Sequence, residues 1–233
     1  MRYRLFIFDL DGTLVDTSPG IMRTVRHVEE TMGIPPISDS DLRKFIGPPL
    51  EDSFIRYHHA TEEQAREMVA CYRERYGTIG VGEAAVYPGI PEILDTIENT
   101  PGTYAAVATL KHRSMAEKSL ERFDLTRRFA AIAAGTDEHP SKADLIRQVM
   151  DTLDWTDPGS AVMIGDSRYD GVGALEAGVD FVPLTYGFGF SEPGSLQGLP
   201  TVYTAEKPED LVQFVLNTAA WRPNPDPTRR LAP

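Results

Sequence analysis

Short apolar runs that end in an acid or a hydroxyl recur along the chain, each followed by residues at helical spacing. The first, Arg4 to Asp9 (RLFIFD), has the continuous hydrophobicity of a strand buried on both faces of a parallel sheet. Thr103 to Thr109, Ala130 to Ala134, Ser160 to Gly165, Val179 to Thr185 and Thr201 to Tyr203 are predicted as further strands. Helices are predicted from about Ser114, over Ser141 to Leu153, and after Gly165 through Ala177. This βαβ rhythm is met by parallel strands joined by crossover helices.

The rhythm is interrupted after its first strand. A helix is expected with Ser18 as N-cap, Pro19 in its first turn and Gly33 at its stop. Asp41 to Ile46, Leu50 to Tyr57 and Thr61 to Tyr76 continue the helical spacing, the last with a Thr61/Gln64 capping box. Tyr87-Pro88-Gly89 then breaks the chain. The expected architecture is a Rossmann-like open parallel α/β core, residues 1–16 and 87–220, with an inserted all-helical cap, residues 17–86. Residues 221–233, rich in proline, form a tail, and Trp155 and Trp221 are read as packing residues.

Composition narrows the function. The 233 residues carry 35 acidic side chains against 23 Lys and Arg, a formal charge of −12. That balance argues against a nucleic-acid partner, which calls for a basic face. It also means that an anion-binding site has to be built locally. Cys71 is the only cysteine, so no disulfide can form within the chain. No apolar run approaches the roughly 18 residues of a membrane span, and the first residues do not read as a signal peptide. The expectation is a cytoplasmic protein without a membrane partner.

Ligand sites of open parallel sheets lie just beyond the carboxyl ends of the strands. There the sequence places Asp9-Leu10-Asp11-Gly12-Thr13, Thr109, and Gly165-Asp166 with Asp170, while Lys142 opens an intervening helix. Asp9 and Asp11 project the same way from an extended chain, and Gly12 permits a sharp turn. A carboxylate can attack phosphorus, splitting one hard step into two. Its charge repels an anionic substrate, so a divalent cation is required, and oxygen-only ligands favour Mg2+. Asp166 is placed to complete that site with Asp9. Thr109, Lys142 and strand-end amides, those of Leu10, Asp11 and Leu110 among them, can hold phosphate oxygens. Asp11 can serve as general acid and base. His58, His59, His112 and His139 match no zinc spacing and are expected on the surface. The Gly187 to Gly189 segment is too short to read as a phosphate cradle.

With these motifs in place, the sequence resembles the haloacid dehalogenase superfamily from Phe6 to about Leu211, and within it the phosphoglycolate-phosphatase and 5′-nucleotidase-like members with a helical cap. Phe45 to Leu50 (FIGPPL), Tyr87-Pro88-Gly89, Ser141 to Ile146 and Thr185 to Gly189 carry the finer likeness. The resemblance implies Asp9 as nucleophile, Asp11 as general acid and base, and Thr109 with Lys142 as the phosphate-binding pair. It implies Asp166 as metal ligand, Asp170 as its supporting acid, and the backbone carbonyl of Asp11 as a further ligand. One departure stands out: Leu110 replaces the usual Asn or Ser, and Lys111 and His112 follow it.

The expected activity is hydrolysis of a small phosphate monoester, phosphoglycolate or a nucleoside 5′-monophosphate first. A dehalogenase has no use for an acid at position 11. A receiver-type signalling domain lacks a cap and carries its acid pair and acceptor on different strands. A sugar phosphomutase would need only a second phosphate site in the cap. Arg43, Lys44, Arg73, Arg75 and Tyr76 are the candidates for selecting the leaving group, and Gly47-Pro48-Pro49 aims a loop at the site. Oligomeric state is not legible.

Overall fold

The computed structural model describes residues 2–190 and 194–219. The expectations for the tail and Trp221 fall outside them. The central sheet consists of five parallel strands, β1 (Leu5–Phe8), β4 (Tyr104–His112), β5 (Ala131–Gly135), β6 (Ala161–Gly165) and β7 (Asp180–Pro183), in the order β5-β4-β1-β6-β7. Strand β1 lies at its centre, with Ile7 opposite Ala106 on one side and Met163 on the other. Alternate residues of β1 serve opposite faces. Phe6 and Phe8 pack with α5 (Ile90–Glu98) and α9 (Pro208–Ala219), through Ile93 and Leu211. Leu5 and Ile7 pack with α7 (Lys142–Thr152) and α8 (Arg168–Ala177), through Ile146 and Ala174. This two-sided burial makes the strand sequences continuously apolar.

Between β1 and the rest of the sheet the chain forms α1 (Ser18–Met32), α2 (Asp39–Leu42), α3 (Leu50–His58) and α4 (Glu62–Thr78). These bury their own cluster, with Val25, Val28, Phe45, Phe54, Met68 and Tyr72 at its heart. A two-stranded antiparallel ribbon, β2 (Val15–Asp16) with β3 (Ala85–Val86), joins the outgoing and returning chain. Met115 of α6 (Arg113–Arg122) packs into the helical cluster and links it to the sheet layer.

Local signals account for most boundaries. Thr61 and Gln64 form the expected capping box on α4, and Gly33 ends α1 at φ 65°. Four details differ from the sequence expectation. Ser18 does not cap α1: its amide and hydroxyl both donate to Asp16 Oδ1, and Thr17 takes the N-cap position. Asp41 to Ile46 is divided between short α2, capped by Ser38, and a single 3-10 turn. Helix α5 was masked by Pro88 and Pro91, yet Pro91 sits in its first turn, where a missing N–H costs nothing. Thr201 to Tyr203 is not a strand. Bridges pair Phe181 with Thr201 and Leu184 with Ala205, so one side advances three residues while the other advances four, and no ladder continues.

Candidate active site

The carboxyl ends of β1, β4 and β6 converge. Asp9 follows β1, Asp166 follows β6, and Asp170 lies in the first turn of α8; all three are buried. One carboxylate oxygen from each lies within 4.8 Å of the other two. Lys142 enters from α7, itself capped by a Ser141/Asp144 box. Its Nζ donates to Asp9 Oδ1 at 2.9 Å and to the Ala108 carbonyl at 2.9 Å, and it is ion-paired with Asp170 Oδ1 at 2.7 Å. The other oxygen of Asp170 accepts from the amide and hydroxyl of Ser167, which caps α8. Far from being solvated like most helix-opening lysines, Lys142 is buried among acids.

Two further contacts fix Asp166. The Phe188 amide donates to its Oδ2 at 2.7 Å, and the Gly189 amide donates to its carbonyl at 3.1 Å. Gly12 adopts φ 79°, and a Cβ there would collide with the Asp166 carboxylate and the Phe188 ring. A Cβ on Gly187 would also strike Asp166. Gly187 to Gly189 therefore packs around an acid, a role the sequence reading did not foresee.

Three buried carboxylates facing one ammonium leave two negative charges in excess. Burial, reinforced by Asp170 and Asp11 against the pull of Lys142, raises Asp9 to a pKa of about 6. Burial, with Asp170 and Asp9 nearby, pushes Asp166 well above the usual carboxylate range. Burial alone would lower Lys142, but Asp170 and Asp9 hold it above its ordinary value. A cluster of oxygen donors with uncompensated negative charge fits a divalent cation.

Asp11 lies outside this cluster. Its carboxylate turns toward Lys111, whose Nζ donates to both oxygens, at 2.9 and 3.0 Å, and to the Tyr76 hydroxyl of α4 at 3.0 Å. Burial works against the charge of Lys111, but Asp11 and Tyr76 raise its pKa above the ordinary value. The backbone explains why Lys111 arrives there. Strand β4 does not end at Thr109, as expected, but runs to His112 through an irregularity. Thr109 pairs with Ala134 and His112 with Gly135, so Leu110 and Lys111 bulge out of the ladder. Bulges re-aim side chains at sheet rims. Thr109 is buried and its Oγ1 accepts from the Lys111 amide at 3.2 Å. Leu10 is buried in the turn after Asp9, and Leu110 lines the adjoining cavity.

That cavity, about 110 Å³, lies between the helical layer and the sheet. Asp11 and Lys111 form part of its wall, Tyr72, Arg73 and Tyr76 of α4 another, and the Gly47-Pro48-Pro49 loop a third. Of the five residues expected to face a leaving group, Arg73 and Tyr76 line this cavity. Arg43 is exposed elsewhere, Lys44 pairs with Asp41, and Arg75 is spent on Glu83 and Thr24. The histidines also need correction. His58 is buried, with Nε2 3.0 Å from Glu29 Oε1. His112 is half-buried on the cavity wall, whereas His59 and His139 are exposed as expected, His139 at the edge of the cavity. Among the described residues no helix is long and apolar enough to cross a membrane.

Comparison with known proteins agrees with this arrangement. Residues 6–184 match the family of haloacid dehalogenase-like hydrolases. A 5′-nucleotidase of Pseudomonas aeruginosa is 37% identical over 210 residues, covering 88% of this chain and 93% of that protein. A phosphoglycolate phosphatase of Agrobacterium fabrum is 32% identical over 191 residues, covering 79% and 81%. The crystal structure of a predicted phosphatase from Clostridium acetobutylicum superimposes with a TM-score of 0.82 at 33% identity, covering 93% of this chain and all of that one.

Proposed function

The chain belongs to the haloacid dehalogenase-like hydrolases, and from that premise we propose that it is a magnesium-dependent phosphatase that hydrolyses small phosphate monoesters through a phospho-aspartate on Asp9. The observation that carries the proposal is the buried convergence of Asp9, Asp166 and Asp170 on the single ammonium of Lys142. Relatives that bear the names of 5′-nucleotidase and phosphoglycolate phosphatase support phosphatase activity and suggest the same two substrates here.

In this reading the Asp9 carboxylate attacks phosphorus and the ester P–O bond breaks. Asp11 gives a proton to the departing alkoxide, then takes one from the water that hydrolyses the acyl phosphate. Lys142 orients Asp9 and, with the Thr109 hydroxyl and the amides of Leu10, Asp11 and Leu110, neutralises the phosphate oxygens. Asp9 and Asp166, with the Asp11 carbonyl and Asp170 in support, would hold Mg2+, which would supply positive charge to offset that of the carboxylates and the phosphate. Asp170 also anchors Lys142 from behind. Both oxygens of Asp11 are held by Lys111, so that contact opens before a proton passes through Asp11. Because Tyr76 shares the same ammonium, the helical layer acts as a cap whose position is coupled to the acid.

The test is turnover of the purified chain on a panel of phosphate monoesters with magnesium, an activated aryl ester included. Phosphate release from the activated ester and at least one metabolite supports the reading. Release from none overturns it.

A further inference from the structure

We infer that Phe188 is a positioning residue for the cation site. Its amide fixes the Asp166 carboxylate while its ring packs against the helical layer, so that the metal affinity of the centre depends on that contact. The inference rests on the reading of Asp166 as a metal ligand under the phosphatase mechanism, and adds a residue whose own side chain carries no metal-binding atom.

The three acids of the cluster are not held alike. Asp9 accepts from Lys142, and Asp170 is ion-paired with Lys142 and accepts from the amide and hydroxyl of Ser167. The Asp166 carboxylate accepts one short hydrogen bond among the described residues, from the Phe188 amide to Oδ2 at 2.7 Å. Its other donor, the Thr13 hydroxyl, stands 3.5 Å from Oδ1. Such partners set the aim of a ligating carboxylate, and losing one costs roughly 10–100-fold in metal affinity or activity. The loop is built to come this close. Cβ atoms on Gly187 and Gly189 would collide with the side chain and the carbonyl of Asp166, respectively. A turn that only led the chain away from β7 would not need two such glycines.

Both shoulders of the loop are tied to the core. The Leu184 and Thr185 amides donate to the carbonyls of Gly165 and Ala205, each at 2.9 Å, and the Tyr186 ring packs edge-on to Tyr87. On the far side the Phe190 ring lies 6.1 Å from that of Phe181, in the layer of α7 and α8. Phe188, between them, is placed differently. Its half-buried ring covers Gly12, where a Cβ would strike it, and packs against the apolar cluster of α1, α3 and α4. No other residue of 184–190 joins that cluster. The amide nitrogen and the ring are carried by the same Cα, so a helical layer that releases the ring also loosens the donor on Asp166.

The experiment measures the Kd of the metal-free full chain for Mn2+, a probe of an octahedral oxygen site, from the EPR signal of the free ion, with Mg2+ as competitor. Melting of the metal-free protein is followed in parallel. Phe188→Ala should weaken binding of both ions by at least about tenfold, and Phe188→Leu, which keeps an apolar contact, should stay within about threefold of wild type. Gly187→Ala pushes on the same carboxylate from the backbone side and should weaken binding at least as much. It keeps the test valid if Phe188→Ala does not fold. Phe190→Ala, in the same loop but packed on the core instead of the helical layer, should lower metal-free melting and leave Kd near that of wild type. An unchanged Kd in Phe188→Ala, or in Gly187→Ala where it alone folds, overturns the inference while leaving the phosphatase reading intact. Equal weakening by Phe190→Ala also overturns it, since any damage to the loop would then suffice. Failure of the wild type to bind either ion overturns the metal assignment as well.

Discussion

Lys142 Nζ stands 2.9 Å from Asp9 Oδ1, although 133 residues of chain separate them. The contact joins the end of the first strand to a helix packed on one face of the sheet, and it sets the charge of the centre. Lys142→Met leaves three buried carboxylates without their cation. Removing one partner of a buried ion pair destabilises by roughly 3–5 kcal/mol. The metal-free variant should therefore melt well below the wild type in calorimetry, magnesium should recover part of the loss, and turnover should fall by at least about 10²-fold. Wild-type melting without metal would show that Lys142 does not carry this charge balance.

The same excess charge gives metal dependence a pH signature. Asp9 is raised to about 6 and Asp166 well above the usual carboxylate range, both chiefly by burial. An acid whose folded pKa lies above its unfolded value, about 3.9 for Asp, binds its proton more tightly in the native state. Their contribution to metal-free stability should be greatest below about pH 4 and decline as pH rises through 6. Magnesium at pH 7 should raise the melting temperature and restore turnover lost to a chelator. The rise should shrink toward pH 4.5, where protons occupy the same carboxylates. Equal stabilisation at both values would contradict the assignment of the cation to these acids.

The helical layer has its own buried acid. Burial pushes Glu29 up, but the Ile37 amide, Arg26 and His58 outweigh it and hold the carboxyl below its usual range. A depressed acid contributes stability above its unfolded pKa and loses it as pH falls through the folded value. Glu29→Gln should cost about 1–3 kcal/mol in urea melts at pH 7, the scale of a damaged buried polar network. The difference from wild type should narrow only as pH falls below the usual glutamate range and through the depressed folded value at which wild-type Glu29 takes up its proton. A variant as stable as wild type at pH 7 would remove Glu29 as an organiser of α1, α3 and the loop at Ile37.

The strand-end acids were legible because short apolar runs mark buried parallel strands, and such strands place ligand groups at one edge. Asp9, Asp166, Asp170 and Lys142 are brought together as that logic requires. Lys111 was visible only as a departure after Thr109, because a bulge leaves no trace in hydrophobic periodicity. Burial of His58 could not be read from a helix end, since its partner Glu29 lies on another helix. Arg73 and Arg75 look alike in sequence, two residues apart on α4; only packing shows that Glu83 occupies one while the other faces the cavity. The acidic composition did carry one true lesson: the positive charge of the site is supplied locally.

The most direct measurement of the central claim is rapid acid quench of Asp11→Asn during reaction with a labelled activated ester and magnesium. A good leaving group needs little protonation, so Asp9 should still be phosphorylated, whereas water attack loses its base and slows by about 10²–10⁴-fold. Near-stoichiometric label should accumulate on the peptide that contains Asp9, and Asp9→Asn should show neither label nor turnover. Ester consumption without label on the protein, or label on any residue other than Asp9, would contradict the phospho-aspartate mechanism.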